Sequence, residues 1–207
     1  MTDIRKVGVI GAGVMGAGIA GHMANAGLPV VLLDVVPDGA NARNVLSDAA
    51  VARLLKTNPA PLMHKRNARR IVTGNIEDDL DQLGECDWII EAIIENLDAK
   101  RDLYARIEAE RKTDSIVSSN TSTIPLEKLT EGLPERFCKD FAITHFFNPP
   151  RYMRLLEVVA GPQTRPDALQ SLRIFGDQTL GKSVVTCKDT PGFIANRIGI
   201  LWMESAI

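Results

Sequence analysis

The chain has 207 residues, 45% of them hydrophobic, and 24 basic against 26 acidic side chains for a net charge of -2. That length and apolar content suffice for one sizeable core, or one domain and the start of a second. The dispersed basic residues build no positive field for a nucleic acid, and no segment approaches the length of a membrane span.

In chain order, Val7 to Ile10 reads as a short buried strand that runs directly into Gly11-Ala12-Gly13-Val14-Met15-Gly16 and a helix to Ala26. An apolar start that leads into glycines is a strand, not an export signal. Val30 to Leu33 is a second strand ending on Asp34, and the spacing predicts a helix over Gly39 to Lys56. Thr57 to Asn75 is mixed: prolines, a basic helical patch Lys65, Arg66, Arg69 and Arg70, then a brief Ile71-Val72 able to form a strand.

Trp88 to Ala92 is a strand, Leu97 to Glu110 a helix, and Ile116 to Ser119 a strand closed by the polar turn Asn120 to Thr123. Phe141 to Phe147 and Met153 to Val159 read as strands joined by Asn148-Pro149-Pro150. Next come a helix over Pro166 to Thr179, a strand at Ser183 to Thr186, and a helix from Gly192 to the end. Strands alternating with helices predict a Rossmann-type α/β fold, a doubly wound and mainly parallel sheet with helices on both faces. Residues 1–190 form the expected cofactor domain, and 191–207 the start of a linker helix to an absent C-terminal helical domain. Ile200, Leu201, Trp202 and Ile207 make poor surface without something to pack on, so a fragment of a longer protein is expected.

The glycines carry the first chemistry. Gly11 permits a tight turn, Gly13 lets backbone approach a pyrophosphate, and Gly16 allows close helix-to-strand contact. The anion would sit on unpaired amides at the helix start, at Val14 and Met15. Asp34 stands where a ribose-binding acid belongs. A carboxylate there accepts ribose hydroxyls and repels a 2′-phosphate, so the expected cofactor is NAD, not NADP. Three features agreeing in order outweigh a reading of plain turn glycines and a capping acid.

Further chemistry should lie beyond the carboxyl ends of later strands. Glu91 and Glu95 there read either as helix-start charges or as cleft residues, with Glu95 and Lys100 the better cleft candidates. Ser118 to Ser122 reads equally as an ordinary turn or as a contact for a nicotinamide ribose or substrate oxygen. Of three histidines, His22 is expected to pack in the first helix and His64 to lie exposed. His145 ends a strand; pairing Asn148 with Arg154 in a hairpin sets it opposite Glu157. Directly opposed residues are close enough to hydrogen-bond, and a one-residue slip would undo the pair. A histidine held by a carboxylate is a competent general base. Cys86, Cys138 and Cys187 match neither a metal spacing nor a disulfide framework, which favours a reducing, cytoplasmic setting and no metal.

The chain resembles the NAD-binding domain of the 3-hydroxyacyl-CoA dehydrogenase family. The matching stretches are VGVIGAGVMGAGIA, DWIIEAIIENLDAK, SSNTST, THFFNPP with MRLLEVV, and LGKSVVTCKDTPGFIANR. The resemblance implies NAD-dependent oxidation of an L-3-hydroxyacyl-CoA to the 3-ketoacyl-CoA, as in fatty-acid β-oxidation. It implies His145 as base and Glu157 as its orienting acid. Ser122, Asn148 and Asn196 become substrate-contacting candidates, and Glu95 and Lys100 cofactor neighbours. It also implies a second, helical domain that supplies most contacts of a homo-oligomer. The segment Thr57 to Ile71 is shorter than in small family members, where it helps bind coenzyme A; the compact form is closer to part of a multi-domain bacterial enzyme. Two rivals remain: a dehydrogenase of small free hydroxy acids, with Arg151 or Arg154 on the substrate carboxylate, and an NAD-binding protein without turnover.

Overall fold

A computed structural model describes residues 2–205. Eight strands form one sheet in the order β3-β2-β1-β4-β5-β6-β7-β8. They are β1 (Val7–Ile10), β2 (Val30–Asp34), β3 (Ile71–Asn75), β4 (Trp88–Glu91), β5 (Ile116–Ser119), β6 (Phe141–Phe146), β7 (Leu155–Ala160) and β8 (Ser183–Cys187). The first six follow the doubly wound order, all parallel, and the order reverses between β1 and β4. Strand β7 runs antiparallel to β6, and β8 runs parallel to β7.

The helices are α1 (Val14–Asn25), α2 (Val45–Leu54), α3 (Leu97–Glu110), α4 (Leu126–Thr130), α5 (Glu135–Asp140), α6 (Pro166–Ile174) and α7 (Ala195–Ser205). Alternation along each strand separates two cores. Val7, Val9, Leu32, Trp88, Ile90, Phe146 and Leu156 pack with α1, α2 and α6. Ile10, Leu33, Ile89, Val117, Ile143 and Val159 pack with α3, α4 and α5. A sheet covered on both faces requires strands that are apolar nearly throughout, as these are. On the first face the Trp88 indole N–H donates to Ser118 Oγ at 2.9 Å, and that hydroxyl meets Thr144 Oγ1 at 2.7 Å. Trp88, Ser118 and Thr144 therefore satisfy one another inside that core, as burial demands.

Several expectations shift at element ends. The helix predicted over Gly39 to Lys56 begins at Val45, because Pro37 to Asn44 forms turns. The basic patch at Lys65–Arg70 is a 3-10 helix, capped by His64 Nδ1 accepting from the Arg66 amide at 3.0 Å. The helix predicted over Pro166 to Thr179 is α-helical to Ile174 and then widens through Phe175–Thr179. A Cβ on Gly176 in the widened turn would lie 2.8 Å from Val184, so the absent side chain lets the turn press on β8. The final helix begins at Ala195 after the turn Pro191 to Ile194. Its exposed side chains include Leu201 and Trp202, the latter 73% exposed, while Ile207 lies outside the described residues. Among the described residues no helix is long and apolar enough to cross a membrane.

Candidate active site

The site lies at the carboxyl ends of the central strands, where each strand hands over to a loop. At β1 the chain turns through Gly11, whose φ of +102° favours glycine, and a Cβ there would sit 2.5 Å from Ala92 O. A Cβ on Gly16 would fall 1.8 Å from Gly11 O, so the first turn of α1 can close on the strand only with glycine there. A Cβ on Gly13 would meet open space, and no side chain caps the helix start at Gly13. The helix therefore presents first-turn amides, those of Val14 and Met15 included, without a side-chain acceptor. That is the donor set an anion requires.

Asp34 ends β2 beside this turn. Its Oδ2 accepts from the Ala12 amide at 2.5 Å and its Oδ1 from the Val35 amide at 2.7 Å. Each carboxylate oxygen keeps a further lone pair. Asp34 also borders a cavity of about 500 Å³ that reaches Gly11, Gly13, Ile76, Ile93 and Arg106. An open glycine turn, bare amides and an acid over an adjoining cavity fit a dinucleotide.

Next along the sheet, Glu91 ends β4 fully buried among apolar residues. Its Oε1 accepts from Lys100 Nζ at 2.5 Å and the Ile93 amide at 2.8 Å. Its Oε2 accepts from Tyr104 Oη and Ser119 Oγ, both at 2.6 Å. Burial, then the Glu91 charge, pushes the Tyr104 phenol well above its ordinary pKa, so it stays a donor. Lys100 is 1% exposed. The ammonium is enclosed, and it faces Glu91 on one side and Glu95 Oε2, 3.4 Å away, on the other.

Glu95 in turn organises the loop after β5. Its Oε1 accepts from the amides of Ser122 and Thr123, each at 3.2 Å, and from the hydroxyls of Thr121 and Thr123. Burial alone would raise its pKa; the Thr121 hydroxyl, Lys100 and the other donors outweigh that and lower it. Ser122 is half-buried, and its hydroxyl makes no hydrogen bond among the described residues. The same loop is tied to β6 through Asn120 Oδ1, which accepts from the Phe146 amide at 2.9 Å.

The hairpin register anticipated from the sequence is the one observed: His145 pairs with Glu157. Nδ1 lies 2.8 Å from Glu157 Oε2, with His145 6% exposed and Glu157 fully buried. A carboxylate only accepts, so the proton sits on Nδ1 and Nε2 is the basic nitrogen. Phe147 and Phe193 flank the imidazole, with ring centroids 4.4 and 5.6 Å away. Asn196 lies half-buried in the first turn of α7, directly after the residue whose amide reaches Glu157. Asn148 is exposed on the turn after β6 and is not drawn into this cluster. His22 and His64 play no part: His22 is buried with Nε2 3.2 Å from Leu180 O, and His64 is exposed.

Sequence reasoning gave Glu91 too little weight and missed Phe193 with the amides behind it. The signal for Glu91 was a carboxylate at the end of the apolar run Trp88 to Ile90, with a lysine nine residues on. No side-chain signal marks backbone amides. Among the described residues no group of three or more His, Cys, Asp or Glu side chains could hold a metal ion.

Comparison with known proteins identifies the family. The family described as 3-hydroxyacyl-CoA dehydrogenase, NAD binding domain, matches residues 6–190. A probable 3-hydroxyacyl-CoA dehydrogenase of Deinococcus radiodurans is 51% identical over 99% of this chain and 59% of its own length. Another probable 3-hydroxyacyl-CoA dehydrogenase, from Bacillus subtilis, is 50% identical over 95% of this chain and 27% of its own length. The chain thus spans between about a quarter and three-fifths of these curated relatives. The crystal structure of an (S)-3-hydroxybutyryl-CoA dehydrogenase from Ralstonia eutropha superposes with a TM-score of 0.81 at 33% identity, covering 99% of this chain and 70% of that one. The chain belongs to the family of 3-hydroxyacyl-CoA dehydrogenase NAD-binding domains.

Proposed function

We propose that this chain is the cofactor-binding and base-carrying part of an enzyme that oxidises an L-3-hydroxyacyl-CoA to the 3-ketoacyl-CoA. The observation that carries the reading is the buried His145–Glu157 pair, with Nδ1 held at 2.8 Å and Nε2 left as the basic atom. His145 takes the proton of the substrate hydroxyl on Nε2, and Glu157 fixes the tautomer and stabilises the imidazolium. NAD, when bound, supplies the hydride acceptor. The amides at Gly13, Val14 and Met15 and the Asp34 carboxylate hold it, with Gly11 and Gly16 shaping the turn. Glu95 holds the Thr121–Thr123 loop so that the Ser122 hydroxyl faces the reacting centre, and Asn196 approaches the substrate from α7. Lys100 acts one step back, fixing Glu95. Asn148 stands as a substrate contact at the rim.

In this reading residues 1–190 form the cofactor domain and 191–207 begin the connection to a helical region that completes the cleft. The apolar exposed face of α7 supports that division. A small free hydroxy acid loses one of its two candidate carboxylate partners, which leaves exposed Arg154. The Arg151 guanidinium is committed to the carbonyls of Ala60 at 2.5 Å and Leu62 at 3.3 Å, and it lies over the Tyr152 ring. The test is a substrate comparison with the full-length protein and NADH. Acetoacetyl-CoA is expected to be reduced and free acetoacetate to be turned over far more slowly; equal rates would refute the thioester reading.

A further inference from the structure

Glu157 has a second set of partners besides His145. Its Oε2 holds the imidazole, while its Oε1 accepts from the Ala195 amide at 2.8 Å and the Ile194 amide at 3.1 Å. The carboxylate is fully buried, so these groups, and not water, offset its charge. Both amides belong to the start of α7, where Ile194 O accepts from the Ile198 amide at 3.0 Å. The chain enters this turn through Phe193, a buried non-glycine residue with φ of +47°. Such a conformation persists only where the surroundings over-determine it. Here they do. Upstream, Asp189 accepts from the Leu126 amide at 2.9 Å and the Glu127 amide at 3.2 Å, and downstream Glu157 takes the two amides of α7. Residues 189–195 are therefore fastened at one end to α4 and at the other to the acid behind His145.

We propose that the first turn of α7 is a positioning element of the catalytic pair: the amides of Ile194 and Ala195 hold Glu157 ionised against His145 and thereby set the pH range in which His145 accepts a proton. The proposal deepens the function above and rests on His145 being the base. Amide dipoles at a helix start stabilise a carboxylate, and a carboxylate engaged by two amides offers less negative potential to the imidazolium. Removing one amide strengthens the hold of Glu157 on the imidazolium and raises the midpoint of His145. Among the other groups packed on the pair, the Cys187 thiol shares Glu157 as a neutral donor. Cys187 faces it from β8, where burial and then the Glu157 charge push the thiol up to about 11, so it stays neutral. Ile143 and Val159 flank it on β6 and β7, Phe147 and Phe193 cover it, and Arg197 on α7 is exposed.

The discriminating variant is Ala195→Pro. Ala195 is the first residue of α7, a position where proline suits the helix and only the N–H is lost. The chain has three histidines, so the His145 imidazole resonance is readily assigned and titrated by NMR. In Ala195→Pro the midpoint should rise by about half a pH unit or more, while Ala195→Gly, which keeps the amide, leaves it in place. An unchanged midpoint in a proline variant whose circular dichroism retains the helix would overturn the proposal. Should that variant not fold, the Ile194 and Ala195 amide resonances of the unsubstituted chain decide. They are expected to shift with the His145 midpoint, and amides that stay flat while His145 titrates would overturn it. Neither measurement uses turnover, so a His145→Ala protein with undiminished NADH-linked activity would refute the base assignment separately.

Discussion

Two fully buried carboxylates share one face of the sheet, Glu91 at the end of β4 and Glu157 in β7, and they do different things. Glu91 is saturated by four donors, an ammonium, a phenol, a serine hydroxyl and an amide. Glu157 is held by two amides and a histidine, and the imidazole keeps a second ring nitrogen beyond the one facing the carboxylate. The partners, not the burial, separate a structural acid from one that can serve a base. Around Glu91 the satisfied charge fixes two loops, directly through the Ile93 amide and indirectly through Lys100 and Glu95. Around Glu157 it leaves one nitrogen, Nε2 of His145, able to act.

The largest effect that would sharpen this contrast is chemical. Glu157→Gln keeps the shape but loses the anion, and kcat should fall by about 10²–10⁴-fold with NADH affinity retained in a fluorescence titration. A rate within a few-fold of the parent would erase the distinction between the two acids. Lys100→Met probes the other side. It leaves Glu91 buried without its cation, and urea unfolding should show a loss of about 3–5 kcal/mol. A stability loss too small to measure would mean that the Glu91 charge is not what holds the β4–α3 junction.

Asp34 is a third carboxylate and only half-buried, so its effect should be smaller and confined to the cofactor. Asp34→Ala is expected to weaken NAD binding roughly tenfold by calorimetry, the scale of one hydrogen bond to a charged group. An unchanged affinity would remove Asp34 from the ribose site. The smallest effect belongs to Glu95. Its pKa is lowered in the fold, so its contribution is present above the ordinary carboxylate value of 4.5 and is lost as pH falls through the folded one. Amide exchange at Ser122 and Thr123, corrected for the intrinsic pH dependence, should quicken in that acid range; protection that does not vary there would contradict the role of Glu95 in the loop.

How much of this was readable beforehand differed in the same two regions. The His145–Glu157 pair was legible because a two-proline turn pins a hairpin register, and register alone decides which side chains face each other. The glycine turn was legible because its conformational demands leave residue types as a trace. Helices α4 and α5, of five and six residues, were not anticipated, since neither is long enough to display a helical period. The enclosure of Lys100 between Glu91 and Glu95 was not legible, because distance along the chain says nothing about which way a side chain is enclosed. The amides of Ile194 and Ala195 were invisible, since every non-proline residue carries the same donor and only the fold aims it.

The central claim is that His145, held by Glu157, is the base, and one measurement tests it most directly. With the full-length protein, NADH-linked reduction of acetoacetyl-CoA should fall by about 10²-fold or more in His145→Ala, while NADH binding stays within a few-fold of the parent. Undiminished turnover in that variant would contradict the account.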